Sequence, residues 1–135
     1  MFDDKIAEIK TRWQDVPYRK HGRDIRGVDC IGILFGVYGD LGIDLPGKNI
    51  LKNSGPNWIH ILLTYARTYF KTIGYDEIEP FDFLLFIKQV DELHSGIALG
   101  NDEFIHCYGE NGVQIDSIKR WRPQFHKAMR MRGGG

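Results

Sequence analysis

The chain has 135 residues, enough for one domain that buries a real core without metal or disulfide support. Lys and Arg (18) equal Asp and Glu (18), so there is no surplus of positive charge to release counterions from a nucleic-acid backbone, and nucleic acid is set aside as a partner. The longest apolar runs, 31–37 and 83–87, are too short to cross a bilayer, and the start Met1-Phe2-Asp3-Asp4 is acidic rather than basic, so neither a membrane span nor a signal peptide is expected. The reading places synthesis in the cytoplasm.

Phe2, Ile6, Ile9 and Trp13 recur at spacings of four, three and four, which predicts a short amphipathic helix that docks by this stripe, with Asp3 or Asp4 at its start. Val16-Pro17-Tyr18 ends it. Residues 19–26 form a polar loop with four basic side chains, Arg19, Lys20, Arg23 and Arg26, besides His21. Its charge reads first as a solvated connection, above all for Lys20 and Arg23, and second as a loop that contacts substrate.

The loop leads to Cys30. Asp29 is an N-cap residue, which makes Cys30 the first residue of a helix over 30–41 with an apolar stripe of Ile33, Leu34, Val37 and Leu41. The unpaired N–H groups and positive dipole end at a helix start favour a thiolate, the reactive form of cysteine. Gly32 and Gly36 share one face. Because each glycine costs a helix interior about 0.5–1 kcal/mol relative to alanine, they call for a close neighbour, and a sheet lying against them near the thiol is the expected one.

Residues 42–57 are rich in turn formers and read as a long surface connection. A second strong helix is predicted over 58–73, with Trp58, Leu62, Tyr65, Ala66, Tyr69 and Ile73 inward and Gly74 as its stop. His60 stands on it alone as a surface or boundary residue. After Pro80 the period becomes strand-like, with runs at 81–87, 93–99, 103–108, 113–118 and 125–131. Helices followed by a strand meander predict an α+β fold, an antiparallel sheet covered by helices.

Within the meander, Gly100-Asn101-Asp102 is a turn signal joining 93–99 to 103–108 as a hairpin. His94 and His106 share a face only if the loop has an odd number of residues. A three-residue loop satisfies this and a two-residue loop does not. Gly96 and Ala98, on the His94 face, are small enough to admit the helix that carries Cys30. A nucleophilic thiol needs a base within hydrogen-bond reach, and the base needs a third polar group to fix its tautomer. Cys30, His94 and His106 supply these in chain order, with the Cys30 N–H and the Tyr18 hydroxyl to meet an oxyanion. Each residue also has a plain reading alone, Cys30 as a small core residue and the histidines as ordinary strand residues. Cys107, next to His106, faces away by alternation and reads as core. Only these two cysteines occur, outside any C-x-x-C pair, so no metal and no cofactor are expected; one bridge between them is the alternative. Trp121 reads as a packing residue in a turn and His126 as exposed or structural.

Pro17-Tyr18, Gly27-x-Asp29-Cys30-x-Gly32 at a helix start, and His94-x-Gly96-Ile97-x-Leu99-Gly100 followed by Phe104-Ile105-His106 resemble the NlpC-type family of papain-like cell-wall peptidases. The blocks span about residues 15–118 in the family's order. The resemblance implies N-terminal helices, the nucleophile at a helix N-terminus, packed on a five- or six-stranded antiparallel sheet. It implies hydrolysis of peptide amides in peptidoglycan stems through a thioester. Residue by residue, it puts the nucleophile on Cys30, the base on His94, the orienting residue on His106 and the tyrosine near the thiol on Tyr18; Asp29 joins Tyr18 on the oxyanion and substrate side. Ile31 stands where the family often has a small polar residue, Arg19-Lys20-His21 where an aromatic-Gly-Gly run is common, and Pro80-Phe81-Asp82 where a Gly-Asp pair is common. These departures surround the substrate cleft. One catalytic domain is expected over 1–132, with 133–135 as a flexible tail. The absence of a leader or second domain resembles phage-tail and prophage members, which adds phage-tail proteins as partners and carriage on a tail to the wall. The alternatives are a particle component with vestigial activity, and an amidase or acyltransferase using the same triad.

Overall fold

Apolar spacing, capping and turn chemistry account for most of the elements seen in the computed structural model, which describes residues 2–45, 58–89, 92–107 and 109–132. Helix α1 is Phe2–Trp13, with Asp3 and Asp4 in its first turn and Lys10 and Arg12 in its last, each sign set against the opposite end of the helix dipole. A two-stranded ribbon follows, β1 (Arg23–Asp24) and β2 (Gly27–Val28), and then helix α2 (Cys30–Asp40). Helix α3 is Trp58–Tyr69. The remaining strands are β3 (Phe70–Ile73), β4 (Phe83–Gln89), β5 (Glu92–Gly100), β6 (Glu103–Cys107), β7 (Val113–Ser117) and β8 (Phe125–Met131). They form one antiparallel six-stranded sheet in the order β3-β8-β4-β5-β6-β7. This is the predicted α+β class. Much of the turn-rich connection predicted over 42–57, and the 133–135 tail, lie outside the described residues.

The sequence predicts a helix that runs to Ile73, whereas α3 stops at Tyr69 and its tail becomes β3. Phe70 is buried, Lys71 and Thr72 are exposed, and the segment pairs with β8 from Phe70↔Met131 to Ile73↔Ala128. Four ladder positions on an otherwise open edge outweigh a helical period whose last members were only Tyr69 and Ile73.

The two faces of the sheet bury different sets of side chains. Phe83, Leu85, Leu93, Ile97, Leu99, Ile105 and Met129 pack with Ile9, Trp13, Ile33, Leu34, Val37, Leu62 and Tyr65 of the three helices. On the opposite face Leu84, Phe86, Ala98, Phe104, Ile118 and Ala128 pack with Ile73, Tyr75, Trp121 and Phe125. The helix bearing Cys30 therefore covers the face away from Gly96 and Ala98, contrary to the sequence-based expectation. Gly96 is small for another reason: a Cβ there would lie 2.6 Å from the Phe104 ring. Nor do the α2 glycines face the sheet. A Cβ on Gly32 would meet the Gly22 carbonyl oxygen at 2.2 Å, and one on Gly36 would meet the Trp13 ring at 2.4 Å. They make room for the basic loop and for α1.

The β5–β6 hairpin resolves the parity question in an unforeseen way. Asn101 (φ 51°) and Asp102 (φ 65°) form a two-residue turn closed by Gly100↔Glu103, both central residues in the left-handed region that a type I′ turn needs. Such a loop alone would put the histidines on opposite faces. The register shifts between Ala98 and Gly100, however, so that Leu99 is an extra residue and the ladder continues as Ala98↔Phe104 and Ile97↔Ile105. The bulge restores the parity that brings His94 and His106 to one face.

Candidate active site

The start of α2 is held by the segment before it. Tyr18 bridges to Val28, the Val28 N–H donates to the Pro17 carbonyl (3.0 Å), and the Arg19 N–H donates to the Val28 carbonyl (3.0 Å). This places Asp29 at the helix mouth. Its Oδ1 accepts from the Ile31 N–H (3.1 Å), the Gly32 N–H (2.7 Å) and Arg23 Nη1 (2.8 Å), while Oδ2 accepts from the His21 N–H (3.1 Å). A carboxylate only accepts, and four donors occupy its lone pairs. Asp29 thus caps the helix and ties down the loop rather than offering a donor to an oxyanion. Arg23, read from the sequence as a solvated cation, is part of this brace; it also bonds the Gly22 carbonyl and lies over the Phe35 ring at 5.6 Å.

Cys30 is half-buried at the first helical position. Burial first, then the Asp29 carboxylate and the Cys107 thiol, push its thiol up to about 12, against the opposing pull of a main-chain N–H at Cys30 and of Arg23. The sequence-based expectation of a dipole-favoured thiolate is thereby reversed, because desolvation and an adjacent carboxylate outweigh a helix end. Cys107 is buried on the helix side, where its Sγ donates to the Val28 carbonyl at 3.3 Å; burial and Asp29 push it up to about 11. Tyr18 is 42% exposed. Burial, then Asp29, Cys107 and Cys30, raise its hydroxyl above the ordinary tyrosine value, which keeps it a neutral donor beside this cluster.

The two histidines meet on the other face. His94 Nε2 and His106 Nδ1 are 2.5 Å apart, and His106 Nε2 lies 2.7 Å from Asp116 Oδ2. His106 is completely buried. Trp121 stacks on His94 (5.5 Å between centroids, 26° between planes) and presents an edge to His106 (5.1 Å), while Phe104 covers His106 at 4.4 Å. His106 therefore sits in an aromatic box in which water cannot replace a lost partner. Ser95, next to His94 on β5, points to the helix side, and its hydroxyl reaches the Cys30 carbonyl at 3.5 Å. The structure so joins His94, His106 and Asp116 by direct bonds, gathers Tyr18, Asp29, Cys30 and Cys107 at the helix mouth, and links the two groups at Ser95.

Sequence reasoning missed Asp116 and undervalued Trp121. Alternation along 113–118 does put Gln114 and Asp116 on one face, but only the register Phe104↔Asp116 and His106↔Gln114 shows that it is the histidine face. Among the described residues no three His, Cys, Asp or Glu side chains form a set that could hold a metal ion. No helix among them is long and apolar enough to cross a membrane.

Known proteins are similar to this chain in sequence and fold. Over residues 15–130 the chain matches the model of the NlpC/P60 family. It is 26% identical over 131 residues to the murein DD-endopeptidase MepS/murein LD-carboxypeptidase of Escherichia coli K12, covering 94% of this chain and 62% of that protein. It is 29% identical over 124 residues to the probable endopeptidase NlpC of the same strain, covering 88% of this chain and 71% of the relative. Among solved structures, a NlpC/P60 family protein from Bacillus cereus superposes with a TM-score of 0.69 at 22% identity, covering 96% of this chain and 40% of that one. The NlpC/p60 domain of the peptidoglycan hydrolase SagA does so with a TM-score of 0.63 at 23% identity, covering 97% and 99%. At these identities the structures speak for the fold, which is the papain-like one. A match over residues 15–130, with the helix-borne Cys30 and the His94–His106 pair inside it, establishes that this chain belongs to the NlpC/P60 family.

Proposed function

We propose that the chain is a cysteine peptidase that hydrolyses amide bonds in peptidoglycan stem peptides, with Cys30 as nucleophile, His94 as base and His106 as the residue that orients it. The observation that carries this is the buried His94–His106 bond one residue from the Ser95 contact to the Cys30 helix start. The names of the E. coli murein endopeptidase and of the peptidoglycan hydrolase SagA support the substrate class.

A thiol raised to about 12 holds its proton at neutral pH, so the proton leaves as the bond forms. The Cys30 sulfur attacks the amide carbonyl carbon while His94 takes the thiol proton. The oxyanion is met by the Cys30 N–H and the Tyr18 hydroxyl. The His94 imidazolium then returns its proton to the amide nitrogen, the C–N bond breaks, and an acyl thioester remains. Water, deprotonated by His94, attacks the thioester; the C–S bond breaks, the thiol regains its proton, and the acid product leaves.

The test is incubation with defined muropeptides and mass-spectrometric identification of the cut bond. Cleavage by the wild type, abolished in Cys30→Ala and in His94→Ala, is the expected result. Undiminished cleavage by Cys30→Ala overturns the proposal. Transfer of the acyl group to an added amine in preference to water would assign the same triad to an amidase or acyltransferase. Failed assembly of a phage tail with folded Cys30→Ala would assign the chain to a particle.

A further inference from the structure

The bonds around His106 decide which nitrogen of His94 can act as a base. Asp116 Oδ2 is 2.7 Å from His106 Nε2, and a carboxylate only accepts, so the proton of that bond sits on Nε2. A neutral imidazole carries one proton, which leaves His106 Nδ1 as an acceptor. His94 Nε2, 2.5 Å away, must then donate, and the unprotonated nitrogen of neutral His94 is Nδ1. Without Asp116, His106 could equally carry its proton on Nδ1, donate to His94 Nε2, and move the His94 proton to Nδ1, where it would block the base.

We infer that Asp116 is a positioning residue that sets the tautomers of both histidines in series, leaving Nδ1 of His94 as the nitrogen that takes a proton. The inference rests on the catalytic reading of Cys30 and His94 given above. Two features favour it. His106 is fully buried between Phe104 and Trp121, so water cannot hold its tautomer in place of Asp116. Asp116 sits on β7, a strand paired with β6 along all five of its residues, so the carboxylate is presented from a fixed backbone. When His94 becomes charged, its Nε2–H and the His106 Nε2–H both point down the chain toward the Asp116 carboxylate.

Long-range 1H–15N spectra of protein labelled with 15N-histidine test this directly, since protonated and unprotonated ring nitrogens differ widely in shift. In the wild type both rings should carry their proton on Nε2. Asp116→Leu should mix or reverse the His106 tautomer and lower kcat on a muropeptide about 10- to 100-fold, with KM within about twofold. Asp116→Asn, whose amide oxygen can still accept, should keep the tautomer and rescue kcat to within about tenfold of wild type. A wild-type spectrum with the His106 proton on Nδ1 overturns the inference without any variant, as does an unchanged tautomer or kcat in folded Asp116→Leu. Failure of the catalytic reading is a separate event: Cys30→Ala would then retain cleavage whatever the spectra show.

Discussion

Replacing Gly36 by alanine puts numbers on the contact that explains this glycine. In an open helix the change would add about 0.5–1 kcal/mol of stability. Here the new Cβ lies 2.4, 2.6 and 2.9 Å from three atoms of the Trp13 ring. The ring must retreat by about 1 Å to reach ordinary contact distance, and it is 3% exposed and held by a 2.7 Å bond from its Nε1 to Asp40 Oδ2. Overpacking of this kind costs about 1–3 kcal/mol, and loss of a hydrogen bond to a charged group about 1.5–3 kcal/mol. Set against the helix gain, the net cost is about 1.5–5.5 kcal/mol, which lowers Tm by roughly 5–25 °C for a domain of this size. Urea and thermal unfolding of Gly36→Ala, Trp13→Phe and the double variant would measure it. The smaller phenyl ring frees the space, so alanine at position 36 should cost little or nothing in the Trp13→Phe background, a coupling about as large as that net cost. A Gly36→Ala protein as stable as wild type, or a double variant that shows simple additivity, would refute the account.

Thiol chemistry provides a pH test. A thiol titrating near 12 gains about tenfold in thiolate for each pH unit well below that value, so alkylation of Cys30 should climb steadily from pH 7 to 10. A plateau below pH 8 would instead reveal a resting thiolate–imidazolium pair. Asp29→Asn removes the carboxylate charge while its amide oxygen still caps α2, and should speed alkylation of Cys30 at any given pH; an unchanged rate would remove Asp29 from the causes. Asp29→Ala also loses the cap and should destabilise the fold by about 0.5–2 kcal/mol in urea unfolding. Tyr18→Phe deletes the hydroxyl proposed to meet the oxyanion, at a partly exposed position, and kcat should fall by up to about 100-fold with little change in stability; a larger effect on KM than on kcat would recast Tyr18 as a substrate contact.

What the sequence determined by itself were the features set within a few residues of one another. The stripe of α1, the Asp29 cap that makes Cys30 the first residue of α2, the strand runs after Pro80 and the presence of a turn within Gly100-Asn101-Asp102 are all local, since a cap or a turn is complete within four residues. Blocks around Cys30, His94 and His106 were sufficient for the family resemblance. The tertiary structure decided whatever depends on a partner far along the chain. Phe70–Ile73 left the helix because β8 offered a ladder. Leu99 bulged, so a two-residue turn still set both histidines on one face. Gly32 and Gly36 turned out to answer to Gly22 and Trp13, and the sheet face under α2 was the one opposite His94. Burial and a neighbouring carboxylate raised a thiol that its helix position alone would have lowered. Asp116 joined the histidines only through the register of β6 with β7, because strand alternation fixes which residues share a face but not which partner stands opposite them.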